Sequence, residues 1–354
     1  MLPGGATVSA GCRAGKLQAM RERNGVSQIS VVIPAYNSAD YLGEAIASVR
    51  AQTIPPLEIL VVDDGSADAT RDIARLAGAT ALKTVTNSGP ATARNLGIQH
   101  AQGDLIAFLD ADDVWEPGQL QTCAGLLDAY PESAVAFSLV TQFGASDQPQ
   151  PAVLPDSVPV GAADFLWEQN PIIQSAVVAR RNAILAVGGY RDGMRHAEDY
   201  DLWLRLAQQH PFVCTHRRLV RYRVHAAQHS SHLDQMFRSA WQLRHDLWTA
   251  VAPGLDAATR VRALSALHRA YESDLATAWH QRSGAPLRMI LDLHPLVPGG
   301  DAVYRRWRRR RRLIRPFWRV GAWIFDHMPG VLRRLVRPGS QAAGASADGF
   351  PASS

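Results

Sequence analysis

Only three cysteines occur in 354 residues: Cys12, Cys123 and Cys214. They are odd in number and far apart, so they build neither a disulfide framework nor a paired metal-ligand motif, and a reducing compartment is expected. Lysine is almost missing, with Lys16 and Lys83 alone, so arginine carries nearly all the positive charge. No run approaches the roughly 18 uncharged apolar residues of a spanning helix, which argues against an integral membrane protein. Glycine-rich phosphate loops are missing as well. Ala35-Tyr36-Asn37-Ser38 stands after the first apolar run, where a dehydrogenase carries G-x-G-x-x-G and a nucleotidyltransferase carries a similar loop. Residues 1–28 lack the apolar core of a signal peptide and read as a disordered leader.

What is present suffices for a folded body. Hydrophobic residues make up 47% and charged residues 19%, ordinary values for one large or two modest cores. The net charge of +5 conceals an asymmetry: between Asp301 and Ser340 twelve arginines face two acids, a local +10, and the remainder is −5. The pI of 9.4 therefore describes the tail.

From Ile29 the chain alternates short apolar runs with helical periodicity. Ile29–Pro34 is nearly all apolar, as in a strand covered on both faces. Leu42, Ala45, Ile46 and Val49 follow at helical spacing behind the cap candidates Ser38 and Asp40. Leu57–Val62 predicts a second strand, Ser66 or Asp68 a helix cap, and Gly78 the end of that helix. A strand over 79–85, a helix over 90–101 and a strand over 104–109 come next. Four strands alternating with helices predict a mostly parallel sheet with ligands at the carboxyl ends of its strands. Beyond Pro117, expected in a first helical turn, the pattern loosens, and 142–159 reads as a long loop. A run at 175–179, a short helix to Val187, Gly188-Gly189-Tyr190, an amphipathic helix after Glu198 and helical sequence over 233–280 complete the pattern.

Two predicted strand ends are acidic: Asp63-Asp64 and Asp110-Ala111-Asp112-Asp113. In a parallel sheet such ends share one face, so the carboxylates converge, at a cost unless a cation or a donor-rich ligand compensates. A hard divalent ion accepts carboxylate oxygens and keeps positions for phosphate. A single acid such as Asp40 or Asp68 has the plainer reading of a cap or turn.

Four stretches carry a resemblance. Ser30-Val31-Val32-Ile33-Pro34-Ala35-Tyr36-Asn37, Val61-Val62-Asp63-Asp64-Gly65-Ser66, Asn87-Ser88-Gly89-Pro90-Ala91-Thr92-Ala93-Arg94-Asn95-Leu96-Gly97 and Phe108-Leu109-Asp110-Ala111-Asp112-Asp113 resemble, in order and spacing, the motif series of family 2 glycosyltransferases. Each is weak alone; the ordered set is specific and covers about residues 29–232. The resemblance implies an α/β, GT-A fold: a Rossmann-like, mostly parallel central sheet flanked by helices, here with a C-terminal helical extension. It implies a nucleotide-diphosphate sugar donor, UDP-linked by default, and a divalent metal (Mg²⁺ or Mn²⁺) at a D-x-D element. Carried over, Pro34, Ala35 and Tyr36 border the nucleobase, and Asp63 and Asp64 lie near base and ribose, Asp64 being the commoner base contact. Arg94 and Asn95 line the nucleotide pocket, with helix start and helix surface as their plainer readings. Asp110 contacts ribose or sugar and counts with Asp112 among the metal ligands, Asp112 being the direct one, and Asp113 supports from behind. Trp115 is either a wall of the sugar site or an apolar anchor.

His196-Ala197-Glu198-Asp199-Tyr200-Asp201-Leu202-Trp203-Leu204-Arg205 is similar to the family's E-D-x-D-L-W-x-R helix. An acceptor hydroxyl must lose a proton as it attacks the anomeric carbon, so a carboxylate must stand opposite the leaving diphosphate. The resemblance makes Asp199 the expected base and Glu198 its structural partner, both kept ionised by the helix dipole; the plainer reading is that both acids only cap the helix. Asp201 and Arg205, four apart, are expected to pair within the scaffold. Tyr222-Arg223-Val224-His225 resembles the family's closing stretch, with His225 a candidate metal ligand or diphosphate contact or else a structural histidine, and Arg223 a counter-charge for phosphate or equally a surface residue. Acceptor-side residues are expected over 142–174, where no motif is legible.

Residues 301–340 interleave arginine with Trp307, Phe317, Trp318, Trp323 and aliphatic residues. Such segments bind anionic membranes; arginines beside stacking aromatics also suit RNA, and a solvated, partly disordered tail is the plainer reading. The resemblance favours the membrane, because many such enzymes build cell-surface polymers on lipid carriers. The expectation is a cytoplasmic protein, peripheral on the inner face of the cell membrane, acting on a hydroxyl-bearing glycan or lipid-linked acceptor. The rival readings are a catalytically silent scaffold and a nucleic-acid-associated protein acting through the tail; intact acids argue against the first and the acidic body against the second. The expected organisation is a leader over 1–28, a GT-A domain over 29–232, a helical extension over 233–300, a basic amphipathic segment over 301–340 and a disordered tail over 341–354.

Overall fold

The computed structural model describes residues 27–145, 170–225, 233–280 and 290–314. The expected leader except its last two residues, most of the loop expected over 142–159, and the chain from residue 315 lie outside these.

The first half alternates as the periodicity predicts: β1 (Ile29–Ala35), α1 (Leu42–Arg50), β2 (Glu58–Asp63), α2 (Thr70–Leu76), β3 (Thr80–Lys83), α3 (Pro90–His100) and β4 (Leu105–Phe108). Strands β3, β2, β1 and β4 lie side by side and parallel. Val31, Val32 and Ile33 are all fully buried, which is why β1 shows no polar alternation. Helix α3 lies so close on β1 that a Cβ on Gly97 would stand 2.4 Å from Val32 Cγ1. Gly78, at φ +65°, ends α2 with its N–H on the Arg75 carbonyl.

The cap expectations need correction. The residues before α1 and α2 are Tyr41 and Ala69, and neither supplies a side-chain cap. Ser66 binds the neighbouring loop, its Oγ accepting from Asn37 N–H (2.9 Å), whereas Asp68 takes Ala39 N–H through Oδ2 (3.1 Å) and also meets the first N–H of α2, as a cap does. The other Asp68 oxygen accepts from Thr70 N–H at 3.0 Å.

The second half turns the sheet mixed. It comprises β5 (Val114–Trp115), α4 (Gln119–Ala129), β6 (Val135–Gly144), a short 3₁₀ turn (Gln174–Ala176), β7 (Val177–Arg180), α5 (Arg181–Ala186), α6 (Glu198–Ala207) and β8 (Phe212–Val224). The eight strands run β3-β2-β1-β4-β7-β6-β8-β5. Strand β7 is antiparallel to β4 and β6, β8 is parallel to β6, and β5 is antiparallel to β8. Gln142–Gly144 thus belong to β6 and not to a loop. Two apolar cores cover the two faces, one including Val32, Phe108, Tyr200 and Trp203, the other Val31, Leu42, Trp115 and Val213.

Helices α7 (Leu233–Val251) and α8 (Ala257–His280) follow. The chain forms two compact units: one runs to Tyr271 and includes Leu296–Pro298, the other consists of Glu272–Pro295 and the residues from Gly299. In the second unit, α9 (Asp301–Ile314) buries Val303 and Trp307 and exposes Arg305, Arg308 and Arg309. Cys123 and Cys214 are buried and unpaired, the Cys123 thiol pushed up to about 12 by burial. Among the described residues no helix is long and apolar enough to cross a membrane.

Candidate active site

The loops after β1 and β2 are stitched together at the carboxyl end of the sheet. Asn37, at φ +47°, accepts from Ala67 N–H through Oδ1 (2.9 Å), and Ser38 N–H donates to Thr70 Oγ1 (2.8 Å). Pro34 and Ala35 end β1, and Tyr36 stands beside them half exposed, an aromatic ring open to a ligand. Asp63 and Asp64 are both buried. Asp63 accepts from Ser66 N–H at 2.9 Å. Asp64 holds the segment after β3, accepting from Thr84 Oγ1 (2.7 Å), Ser88 N–H (3.0 Å) and Gly89 N–H (2.8 Å).

The Asp110–Asp113 loop is gripped from several sides. Asp113 is buried behind it, its oxygens accepting from Ser175 Oγ (2.5 Å) and Arg223 N–H (2.8 Å). Burial, then the charges of Asp112 and Asp110, push its carboxyl well above the usual range. Ser175 Oγ also accepts from Asp110 N–H (3.0 Å), so one hydroxyl ties both ends of the motif. The Arg223 guanidinium binds the Asp112 carbonyl (2.8 Å) and Glu44 (2.5 Å) and lies over Tyr41 and Phe143. It clamps the loop to α1 through Glu44. Trp115 takes the anchor alternative: its ring is 3% exposed and its Nε1–H donates to the Ser175 carbonyl (2.7 Å).

Asp112 keeps its carboxyl toward His225, whose Nε2 lies 2.9 Å from Oδ2. Burial, and next the Asp110 charge, raise the Asp112 carboxyl despite the histidine. Among the described residues no group of three or more His, Cys, Asp or Glu forms a complete cage. Asp112 and His225 nonetheless fit a hard divalent cation of the kind that takes one or two protein ligands and fills its shell from phosphate and water.

Arg94 joins this loop to α6. It is 5% exposed, with one nitrogen 2.7 Å from Asp110 Oδ1 and another 2.8 Å from Glu198 Oε1. Burial opposes its charge, yet Asp110, Tyr190 and Glu198 outweigh burial and hold the guanidinium above its usual range. Asn95 faces the next loop, its amide clasping the backbone of Tyr190: Nδ2 to the carbonyl (2.8 Å) and Oδ1 from the N–H (2.9 Å). Helix α6 starts behind Ala197 in a left-handed conformation (φ +58°), which places Glu198 and Asp199 in its first turn. Arg205 fixes the helix, pairing with Asp201 (2.6 Å) and donating to the carbonyls of Val187 (2.6 Å) and Gly189 (2.7 Å). The Asp199 carboxyl accepts from Tyr200 N–H (2.7 Å) and is pushed up to about 7 by burial and next by the Glu198 charge. The helix dipole therefore does not keep Asp199 fully ionised: burial beside a second carboxylate wins. Sequence reasoning missed Gln174, Ser175 and Glu44, since isolated polar residues beside apolar runs give no pattern.

Residues 30–226 match the family model for glycosyl transferase family 2. RP339 of Rickettsia prowazekii, named a glycosyltransferase, is 27% identical over 258 residues, covering 70% of this chain and 78% of RP339. TuaG of Bacillus subtilis, provisionally named a teichuronic acid biosynthesis glycosyltransferase, is 38% identical over 115 residues, 31% of this chain and 44% of TuaG. Among solved structures, S. aureus TarS 1–349 in complex with UDP-GlcNAc superposes with a TM-score of 0.60 at 19% identity, over 77% of this chain and 82% of that one. The mannosyltransferase PcManGT from Pyrobaculum calidifontis, in complex with GDP-Man and Mn²⁺, gives 0.51 at 17% identity, over 89% and 95%. These likenesses establish the fold, which is the GT-A fold expected from the motifs.

Proposed function

Because the chain belongs to glycosyl transferase family 2, we propose that it moves a sugar from a nucleotide-diphosphate sugar to an acceptor hydroxyl by a single inverting displacement, in the assembly of a cell-surface polysaccharide or glycolipid. The observation that supports this reading is the Arg94 bridge, 2.7 Å to Asp110 and 2.8 Å to Glu198, which joins the first turn of α6, where burial pushes the Asp199 carboxyl up to about 7, to the acidic loop. A base tuned near neutrality beside an acidic loop suits proton removal at one face of a sugar and diphosphate departure at the other.

In this reading Pro34, Ala35, Tyr36, Asp63 and Asp64 border the nucleotide. Asp112 and His225 would hold a divalent cation, with Asp110 beside them, and such an ion would supply positive charge for the departing diphosphate. Asp199 takes the acceptor proton as the acceptor oxygen bonds to the anomeric carbon. The bond from that carbon to the diphosphate breaks, its electron pair leaves with the phosphate oxygen, and opposite-side attack inverts the centre. UDP-sugars are the default donors, supported by the ligand of TarS. TuaG's name supports a polymeric or lipid-linked acceptor. The exposed arginines of α9 support peripheral attachment to the inner face of the cell membrane, and the acidic body disfavours nucleic acid. Incubation with a panel of UDP- and GDP-sugars, Mn²⁺ or Mg²⁺ and a bacterial lipid extract should release nucleoside diphosphate from at least one donor. No release above the blank from any donor overturns the reading.

A further inference from the structure

Close to Asp199 and Glu198 lie two buried polar groups, the Gln174 amide and the Tyr190 hydroxyl. Gln174 is 5% exposed and Tyr190 2%. Among the described residues, both ends of the Gln174 amide and the Tyr190 hydroxyl are buried without a hydrogen-bond partner. The hydroxyl lies beside the amide, off good hydrogen-bond geometry, in the field of Arg94, Asp199 and Glu198. Buried polar groups are nearly always paired, and those that are not call for an explanation in a ligand, a water or a function.

The surroundings hold this pair in place. Asn95 clasps the Tyr190 backbone on both sides, and Arg94 lies 5.6 Å over the ring. Phe108 packs edge-on against it at 5.8 Å. Gly188 and Gly189, at φ +82° and +69°, make the turn that delivers it, and a Cβ on Gly189 would stand 2.7 Å from Asn95 Oδ1. Gln174 is fixed by its neighbour Ser175, which ties Asp110 to Asp113. Nothing in the chemistry already described uses either group.

In the reading above the anomeric carbon is bonded to the diphosphate near Asp112 and attacked from Asp199; Gln174 adjoins Ser175 on the Asp110–Asp113 loop, and Tyr190 lies in the field of Asp199 and Glu198, so the pair adjoins both sides of the reaction. We propose that Gln174 and Tyr190 together bind a hydroxyl of the transferred sugar and so discriminate between donors that differ at that carbon. An amide and a phenol offer donors and acceptors, the complement of a hydroxyl, and a site built around a substrate hydroxyl rejects analogues that misplace it. This rests on the glycosyltransferase reading above.

The test is calorimetric binding in Mn²⁺ to UDP, UDP-glucose, UDP-galactose and UDP-GlcNAc, and to GDP and GDP-mannose. The wild type should bind one sugar nucleotide more tightly than its nucleoside diphosphate and its epimer. Gln174→Leu and Tyr190→Phe should each shrink that sugar increment about tenfold, the scale of one hydrogen bond. Both should bind the nucleoside diphosphate as before and melt no lower. Variants that keep the increment show that the pair holds only buried water, and variants that lose nucleoside-diphosphate affinity in step show a merely structural role; each overturns the proposal. A wild type that binds UDP or GDP but gains nothing from any sugar overturns this proposal alone. A wild type that binds no nucleotide overturns the glycosyltransferase reading with it.

Discussion

Asp199 carries opposing demands. Its carboxyl ordinarily titrates at 3.8 and is raised to about 7 in the folded protein, so the native state holds that proton more tightly than the unfolded chain. Stability is therefore greatest at low pH with respect to this group, and the contribution is lost as pH rises from about 4 through about 7. Asp199→Asn removes the cost, and the variant should melt higher than the wild type at pH 8, by an amount worth about 1 kcal/mol or more. Transfer should fall by about 10²-fold or more, with nucleotide binding kept. Wild-type turnover should decline as pH drops below about 7; an acid limb unchanged in residual turnover by Asp199→Asn rules this residue out as base. Asp64 shows a different coupling. Its carboxylate satisfies two backbone N–H groups and a hydroxyl, so Asp64→Ala should cost about 1–3 kcal/mol of stability as well as nucleotide affinity. Urea denaturation checks this: an unchanged midpoint contradicts the role drawn from the hydrogen bonds.

At the scale of elements, the first half of the sheet was legible because each strand is a short apolar run and each helix has a periodic face. Gly97 shows how closely these elements fit. Gly97→Ala would press a methyl group into Val32, so α3 and β1 must separate and the Tm should fall by an amount worth about 1–3 kcal/mol. A variant that melts like the wild type refutes the close approach. Strands β6 and β8 were not legible. The exposed middle of β8, His216-Arg217-Arg218, reads as surface, while its pairing with β6 and β5 is a long-range event that local pattern does not record. That strand brings Arg223 and His225 to the Asp110–Asp113 loop, some 110 residues away in sequence.

For the molecule as a whole, the charge asymmetry assigns the proposed membrane attachment to residues 301–340. The aromatic content of residues 301–340 suggests insertion into lipid, but Trp307 is buried, so the described face of α9 attracts through arginine alone. Truncation after Gly300 would also strip the buried Val303 and Trp307, so charge removal is the cleaner test. Arg305, Arg308 and Arg309 changed together to Gln should weaken sedimentation with anionic vesicles by up to about 3 kcal/mol, since each basic residue near the surface contributes about 1. High salt should mimic the substitution. Equal sedimentation of variant and wild type rejects the arginine face as the anchor, and binding to RNA in preference to vesicles favours the nucleic-acid alternative.

The sequence alone determined the alternating order of the first four strands, the two acidic strand ends and the amphipathic helix that begins at Glu198. These are local properties, written in apolar periodicity and in consecutive residues. Tertiary structure alone decided what each acid does. Asp64 became the anchor of the 84–89 segment, Asp113 the buried support of its loop, and Arg94 the bridge from Asp110 to Glu198. It also raised Asp199 toward neutrality and left Gln174 and Tyr190 facing each other unpaired. Burial, and charges brought together from positions as far apart as 94 and 198, set these properties, and both exist only once the chain has packed.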